Sequence, residues 1–311
     1  MWRLLFAVAL FGETGFLDRA VTVAGEKHLY QVYVPRDYSA DRAWPVILFL
    51  HGAGESGTNG ITQSLSGLPA AIRKNPERFP AIVVMPQSSP TRQWIEGVEQ
   101  NSALAALDAA LKEFRVDTDR VYLTGLSKGG YGTWHLAARE PGRFAAIAPI
   151  CGGIVFSKRL LDRLGKVEAD FPSNADLAKK IGAGMPVWAF HGGADVTVPP
   201  EASRSAVEAL RSLGSGVKYT EYEGVGHNSW DKAYGDPEFA LWLFGQRRNG
   251  TRPCSSGGHQ IRRLKPLVQC IGCEVRAIRP TSHAVRIDAD LSEVCLIAQR
   301  RKHGSEKPVR Q

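Results

Sequence analysis

A serine set between glycines, Gly125-Leu-Ser127-Lys-Gly129, follows directly on Val121-Tyr-Leu-Thr124 and precedes a helix-like stretch from Tyr131 to Glu140. The β-branched and aromatic residues favour a strand ahead of the serine. Gly-x-Ser-x-Gly then fits a tight strand-to-helix turn, where side chains at 125 and 129 would collide with the adjoining elements. Such a turn holds Ser127 in a strained conformation, its Oγ exposed at the carboxyl end of a sheet and at the positive end of a helix. Ser127 is therefore the candidate nucleophile. A serine hydroxyl is a weak nucleophile until a base takes its proton, and the base needs an orienting partner. His227, in Gly226-His-Asn-Ser-Trp230, and Asp195, in His191-Gly-Gly-Ala-Asp195, each follow a strand-like segment. In that arrangement His227 takes the proton from Ser127 and returns it to the leaving group, while Asp195 fixes the imidazole tautomer and stabilises the transient imidazolium. Asp231 lies nearer to His227 in sequence and is the rival acid; His51 and His191 read as loop tethers.

Attack on a carbonyl also requires donors for the developing oxyanion. The apolar run Pro45-Val-Ile-Leu-Phe-Leu50 ends in His51-Gly-Ala-Gly-Glu-Ser-Gly57, a glycine-rich loop able to turn backbone N–H groups toward a ligand. The N–H of Ala53 and that of Lys128, just after the serine, are the expected pair, with Gly52 as the near alternative. Trp94, in the loop that follows Ala81-Ile-Val-Val-Met85, is a candidate wall for an acyl or aryl group. Cys151 reads as a small buried hydrophobe, since free cysteine is among the most buried residue types.

These residues need a scaffold that gathers strand ends. Residues 20–35 hold two extended stretches, Ala20–Val23 and His28–Val34, that read as an edge hairpin around a Gly-Glu-Lys turn. Buried strands are expected at 45–50, 81–85, 121–126, 145–150, 186–190 and 217–222, with helices at 65–74, 101–115, 131–140, 201–213 and 239–244. In the second helix Leu104, Leu107, Leu111 and Phe114 form one apolar stripe, and Asp117-Thr-Asp119 reads as the turn after it. Residues 154–183 fit either a crossover helix with a loop or an excursion over the site. Alternation of strands and helices from 45 to 245 implies an α/β fold, a mostly parallel sheet with helices on both faces. Right-handed crossovers put the loops after the strands on one rim, where Ser127, Asp195, His227 and the 51–54 loop all fall.

The 311 residues carry a formal charge of +8, but 14 Lys/Arg and 5 Asp/Glu lie in 247–311, leaving 25 basic and 26 acidic residues in the rest. The basicity belongs to the tail, so neither a specific nucleic-acid partner nor steering of anionic substrates follows from it. The chain thus divides into a short apolar N-terminal segment (1–13), a catalytic body (14–246) and a basic, Cys-containing extension (247–311) without clear periodicity. Leu4–Phe11 fits either a short export signal, which would place the protein outside the cytoplasm, or a buried segment; it is too short to span a bilayer. Cys254, Cys270, Cys273 and Cys295, with His259 and His283, match no trusted zinc spacing, and disulfides after export or a disordered extension are the alternatives.

Taken together, Gly125-Leu-Ser-Lys-Gly-Gly-Tyr-Gly-Thr-Trp134, Leu50-His-Gly-Ala-Gly-Glu55, His191-Gly-Gly-Ala-Asp195 with Val198-Pro199, and Gly226-His-Asn-Ser-Trp230 resemble the α/β-hydrolases. The likeness is to the bacterial phospholipase/carboxylesterase-like branch, which is similar to feruloyl and polyhydroxybutyrate esterases and is often labelled prolyl-oligopeptidase-like. It covers roughly residues 14–246 and implies a cofactor-free serine esterase acting on small acyl or aryl esters. Lys128 departs from the pattern, since many relatives carry Met or another apolar residue there; its charge is expected at the rim. A peptidase of the prolyl-oligopeptidase-like type and a non-catalytic binding protein on the same fold are the competing readings.

Overall fold

A computed structural model describes residues 13–248, apart from 159–160, 163–170 and 172, together with the two short strands 268–271 and 274–277. The readings placed on residues 1–12 and on the side chains beyond 248 lie outside the described residues.

Eight strands form one sheet in the order β1-β2-β4-β3-β5-β6-β7-β8. β1 (Gly15–Val23) and β2 (Glu26–Val34) make the expected hairpin, but its turn is Ala24-Gly25, both at positive φ (51° and 85°), the geometry a two-residue hairpin requires. β2 pairs antiparallel with β4 (Ile82–Pro86); β3 (Trp44–Leu50), β5 (Val116–Leu126), β6 (Ala146–Ile150), β7 (Trp188–Gly192) and β8 (Lys218–Tyr222) run parallel. β3 is buried at every residue, as its unbroken apolar run requires for a strand covered on both faces. Asp117–Asp119 is not a turn. β5 begins at Val116, and its register against β3 shifts between Trp44 and Val46, so the polar residues form an irregularity inside a strand.

The helices are α1 (Leu68–Lys74), α2 (Gly97–Glu113), α3 (Lys128–Arg139), α4 (Asn174–Ile181), α5 (Glu201–Arg211), α6 (Trp230–Gly235) and α7 (Pro237–Phe244) among the described residues. Residues of α2 to α5 pack one face of the sheet and residues of α1, α6 and α7 the other, giving two apolar cores separated by the strands. Among the described residues of the 154–183 region, α4 is the helix that packs on the sheet, and Ile154 and Phe156 ahead of it are both buried. The second compact unit, residues 255–311, carries a separate antiparallel pair, β9 (Val268–Ile271) and β10 (Glu274–Ala277).

The sheet and α3 meet with almost no space between backbones. An added Cβ at Gly129 would lie 1.9 Å from the Leu50 carbonyl oxygen, and one at Gly125 would lie 2.4 Å from that of Gly129. Neither contact can relax without moving a strand end. Gly129→Ala should therefore lower stability by about 3 kcal/mol or more. Denaturant unfolding checks this, and an unshifted midpoint would mean that the strand end and α3 yield freely.

Candidate active site

Ser127 sits between β5 and α3 with φ 53° and ψ −115°, outside the conformations open to most L-residues. The turn is held by Ser127 N–H donating to the Ile150 carbonyl of β6 (2.9 Å) and Tyr131 N–H donating to the Ser127 carbonyl (3.1 Å). A strained residue maintained by such fixed neighbours is characteristic of a functional position. His227 comes from the loop after β8 and Asp195 from the loop after β7. His227 Nε2 lies 2.8 Å from Ser127 Oγ, and His227 Nδ1 lies 2.7 Å from Asp195 Oδ2. A carboxylate can only accept, so Nδ1 carries the proton and Nε2 is left to accept from the serine hydroxyl.

The sequence model of the prolyl oligopeptidase family matches residues 92–242. A thermostable esterase of known crystal structure is 32% identical, with a TM-score of 0.62 over 75% of this chain and 63% of that one. The chain has the α/β-hydrolase fold. The acylaminoacyl peptidase of Pyrococcus horikoshii has the same fold at 18% identity, TM-score 0.59, covering 78% of this chain and 43% of the peptidase. Among curated sequences, poly(3-hydroxyalkanoate) depolymerase C of Paucimonas lemoignei is 27% identical over 206 residues, 58% of this chain and 45% of the depolymerase. The chain spans less than half the length of the curated relatives it matches.

Asp195 is 4% exposed, and its second oxygen accepts from the N–H groups of Thr197 (2.8 Å) and Val198 (3.0 Å). His191, fully buried, places Nε2 2.9 Å from the Val198 carbonyl oxygen and 3.3 Å from Asp195 Oδ2. Burial alone would push the Asp195 carboxyl up, but hydrogen bonds from His191, His227 and Val198 outweigh it and hold the group well below the usual carboxylate range. The sequence reading of His191 as a loop tether missed its contact with the carboxylate. Its spacing four residues before Asp195 offered no signal for this, because the approach arises from the curl of the loop after β7. Asp231, the rival acid, is exposed at the start of α6.

Lys128 is the first residue of α3 and Ala53 the first of a 3₁₀ turn, Ala53–Glu55, so the N–H of each lacks an acceptor within its own element. His51 sets the direction of the second. Ser88 N–H donates to His51 Nε2 (2.9 Å), which leaves Nδ1–H to donate to the Gly52 carbonyl (2.6 Å). That carbonyl and the Ala53 N–H belong to one planar trans peptide and point opposite ways, so fixing one fixes the other. Burial pushes the His51 imidazole down to about 3, keeping it neutral in this role. Gly52, the alternative donor, contributes its carbonyl here.

Two expectations need correction. Trp94 is 1% exposed and does not line the space above Ser127; its Nε1–H donates to the His51 carbonyl (3.0 Å) and its ring meets the His51 ring edge-on. It supports the 51–57 loop from behind. Lys128 is 7% exposed, with its ammonium bonded to Ser56 and Ser89, and is not a charge on the rim. Cys151 is fully buried with its thiol pushed up by burial, as expected of a small hydrophobe.

The depressed Asp195 carboxyl has a sign. Its contribution to stability is fully present above the ordinary Asp value and is lost as pH falls toward the lower folded-state value. Asp195→Asn should remove that acid-limb dependence in thermal unfolding and cut kcat on an activated ester by on the order of 10³-fold or more. Wild-type turnover in that variant would take Asp195 out of the series.

Proposed function

We propose that this hydrolase is a serine carboxylesterase acting on small acyl or aryl esters, with residues 14–246 as its catalytic unit. Ser127 Oγ attacks the ester carbonyl as His227 Nε2 takes its proton; the tetrahedral oxyanion is met by the N–H groups of Ala53 and Lys128. His227 then returns the proton to the departing alcohol, leaving an acyl group on Ser127. Water, deprotonated by the same imidazole, releases the acid. Asp195 keeps the imidazole in the required tautomer and balances its positive charge.

The observation that supports this reading most directly is the series Ser127 Oγ, His227 and Asp195, linked at 2.8 and 2.7 Å and presented on a positive-φ turn. The 32% identity to a thermostable esterase points the same way on substrate class. A second reading, amide hydrolysis, is favoured by the match to the prolyl oligopeptidase family. The two differ in the leaving group that His227 must protonate, and turnover of matched ester and amide substrates separates them.

Hydrolysis of p-nitrophenyl acetate and butyrate and of methyl ferulate is the expected activity, with Ser127→Ala lowering kcat by at least about 10³-fold. Labelling by a fluorophosphonate probe should vanish in the same variant. Turnover or labelling that survives the substitution would remove Ser127 as nucleophile, and faster turnover of the amide than of the ester would favour the peptidase.

A further inference from the structure

Lys128 carries a side chain that the reaction above does not use. It is almost wholly buried, yet among the described residues its Nζ donates to only two groups: the hydroxyl of Ser56 at 2.9 Å and the carbonyl of Ser89 at 3.1 Å. Ser56 closes the 3₁₀ turn that begins at Ala53, and Ser89 follows β4. Among the described residues no carboxylate lies within salt-bridge distance of Nζ. The negative charge facing it comes from Glu99, buried in the first turn of α2, and Glu96, the α2 N-cap. Arg92 lies 3.7 Å from Glu99 and draws on the same carboxylate. His51, from the loop after β3, is neutral. A charge buried with so few partners costs stability, and an apolar side chain of similar length would avoid that cost. The location suggests what offsets it, because the ammonium joins α3 to the two loops that flank the proposed oxyanion site.

We propose that Lys128 is a positioning residue for the oxyanion donors, its ammonium tying the 52–57 loop, through Ser56, to the helix whose first N–H is the other donor. One residue thus supplies a donor through its backbone and sets the place of the second donor through its side chain. The Ser89 contact adds the loop after β4 to the same tie. This rests on the serine-hydrolase reading above.

Burial lowers the Lys128 ammonium to about 8, while Glu99 and Glu96 act in the opposite direction. Above that pH the neutral amine is a weaker donor to Ser56 and Ser89 and carries no charge, so turnover falls. Stability moves the other way. The folded-state value lies below that of a free lysine, so the unfolded chain holds the proton longer, and this group's contribution to stability rises with pH between the two values. An alkaline loss of turnover without loss of fold separates positioning from unfolding.

The test uses the full chain with p-nitrophenyl butyrate from about pH 6 to about pH 10. Lys128→Met should lower kcat about tenfold, less than the loss of about 10²-fold or more from removing a donor outright, with KM changed by less than about twofold. It should also abolish the alkaline limb near 8 without lowering the thermal midpoint. Lys128→Arg, which keeps the charge, should restore much of kcat and move the limb upward. Ser56→Ala should lower kcat by a similar factor, and Lys128→Met added to it should cost little more, since both cut the same tie. If Lys128→Met does not fold, Ser56→Ala and its pH profile carry the test alone. An unchanged kcat in Lys128→Met, an alkaline limb that persists there, or full additivity with Ser56→Ala would overturn the proposal. Fluorophosphonate labelling of the wild type distinguishes the two failures: an unlabelled, inactive wild type sinks the hydrolase reading and this proposal with it, whereas a labelled, active wild type with an unaffected Lys128→Met sinks this proposal only.

Discussion

The carboxyl end of β3 and the first turn of α3 are pressed together until the Gly129 backbone touches the Leu50 carbonyl. This contact does two things at once. It forces the chain through a turn at Ser127 that only a positive φ can make, and it brings the first N–H of α3 beside the loop that leaves β3. Fixed peptide dipoles next to a reacting oxygen lower a barrier only if they need not move during the reaction. Packing backbone on backbone, with no side chain between, is the stiffest way to meet that condition.

Around the turn, three ionisable groups are set by burial and partners to three different states. His51 is buried with one acceptor and one donor facing its ring, so it stays neutral and serves as a strut. Asp195 is equally buried, but backbone N–H groups and two imidazoles surround it, and it stays ionised. Lys128 keeps its charge near neutral pH with only a hydroxyl and a carbonyl as direct partners. Burial pushes each group toward its neutral form, and the donors and acceptors aimed at it decide how far that push is offset.

Much of this was legible in the residues. Continuous apolar runs gave the buried strands, and glycines at 125 and 129 marked the turn because nothing larger fits a backbone contact. The order Ser, Asp, His along strand ends brought three distant residues to one rim, and the structure links them in series. Asp117-Thr-Asp119 misled because polar residues in a strand irregularity resemble those in a turn. Trp94 misled because a loop at the rim was taken to face outward, whereas its indole found a carbonyl acceptor behind the loop.

The sequence by itself determined the class of sheet, the position of the tight turn and the residue types able to run acyl transfer, since these depend on local sterics and on hydrophobic period. Tertiary structure alone decided which side chains meet at Ser127 and which turn inward. The second imidazole at Asp195 depends on the curl of the loop after β7, and the buried ammonium of Lys128 and the inward indole of Trp94 depend on how loops from different strands meet. The last two directions are set by contacts between residues 39 to 72 positions apart, which no local spacing encodes.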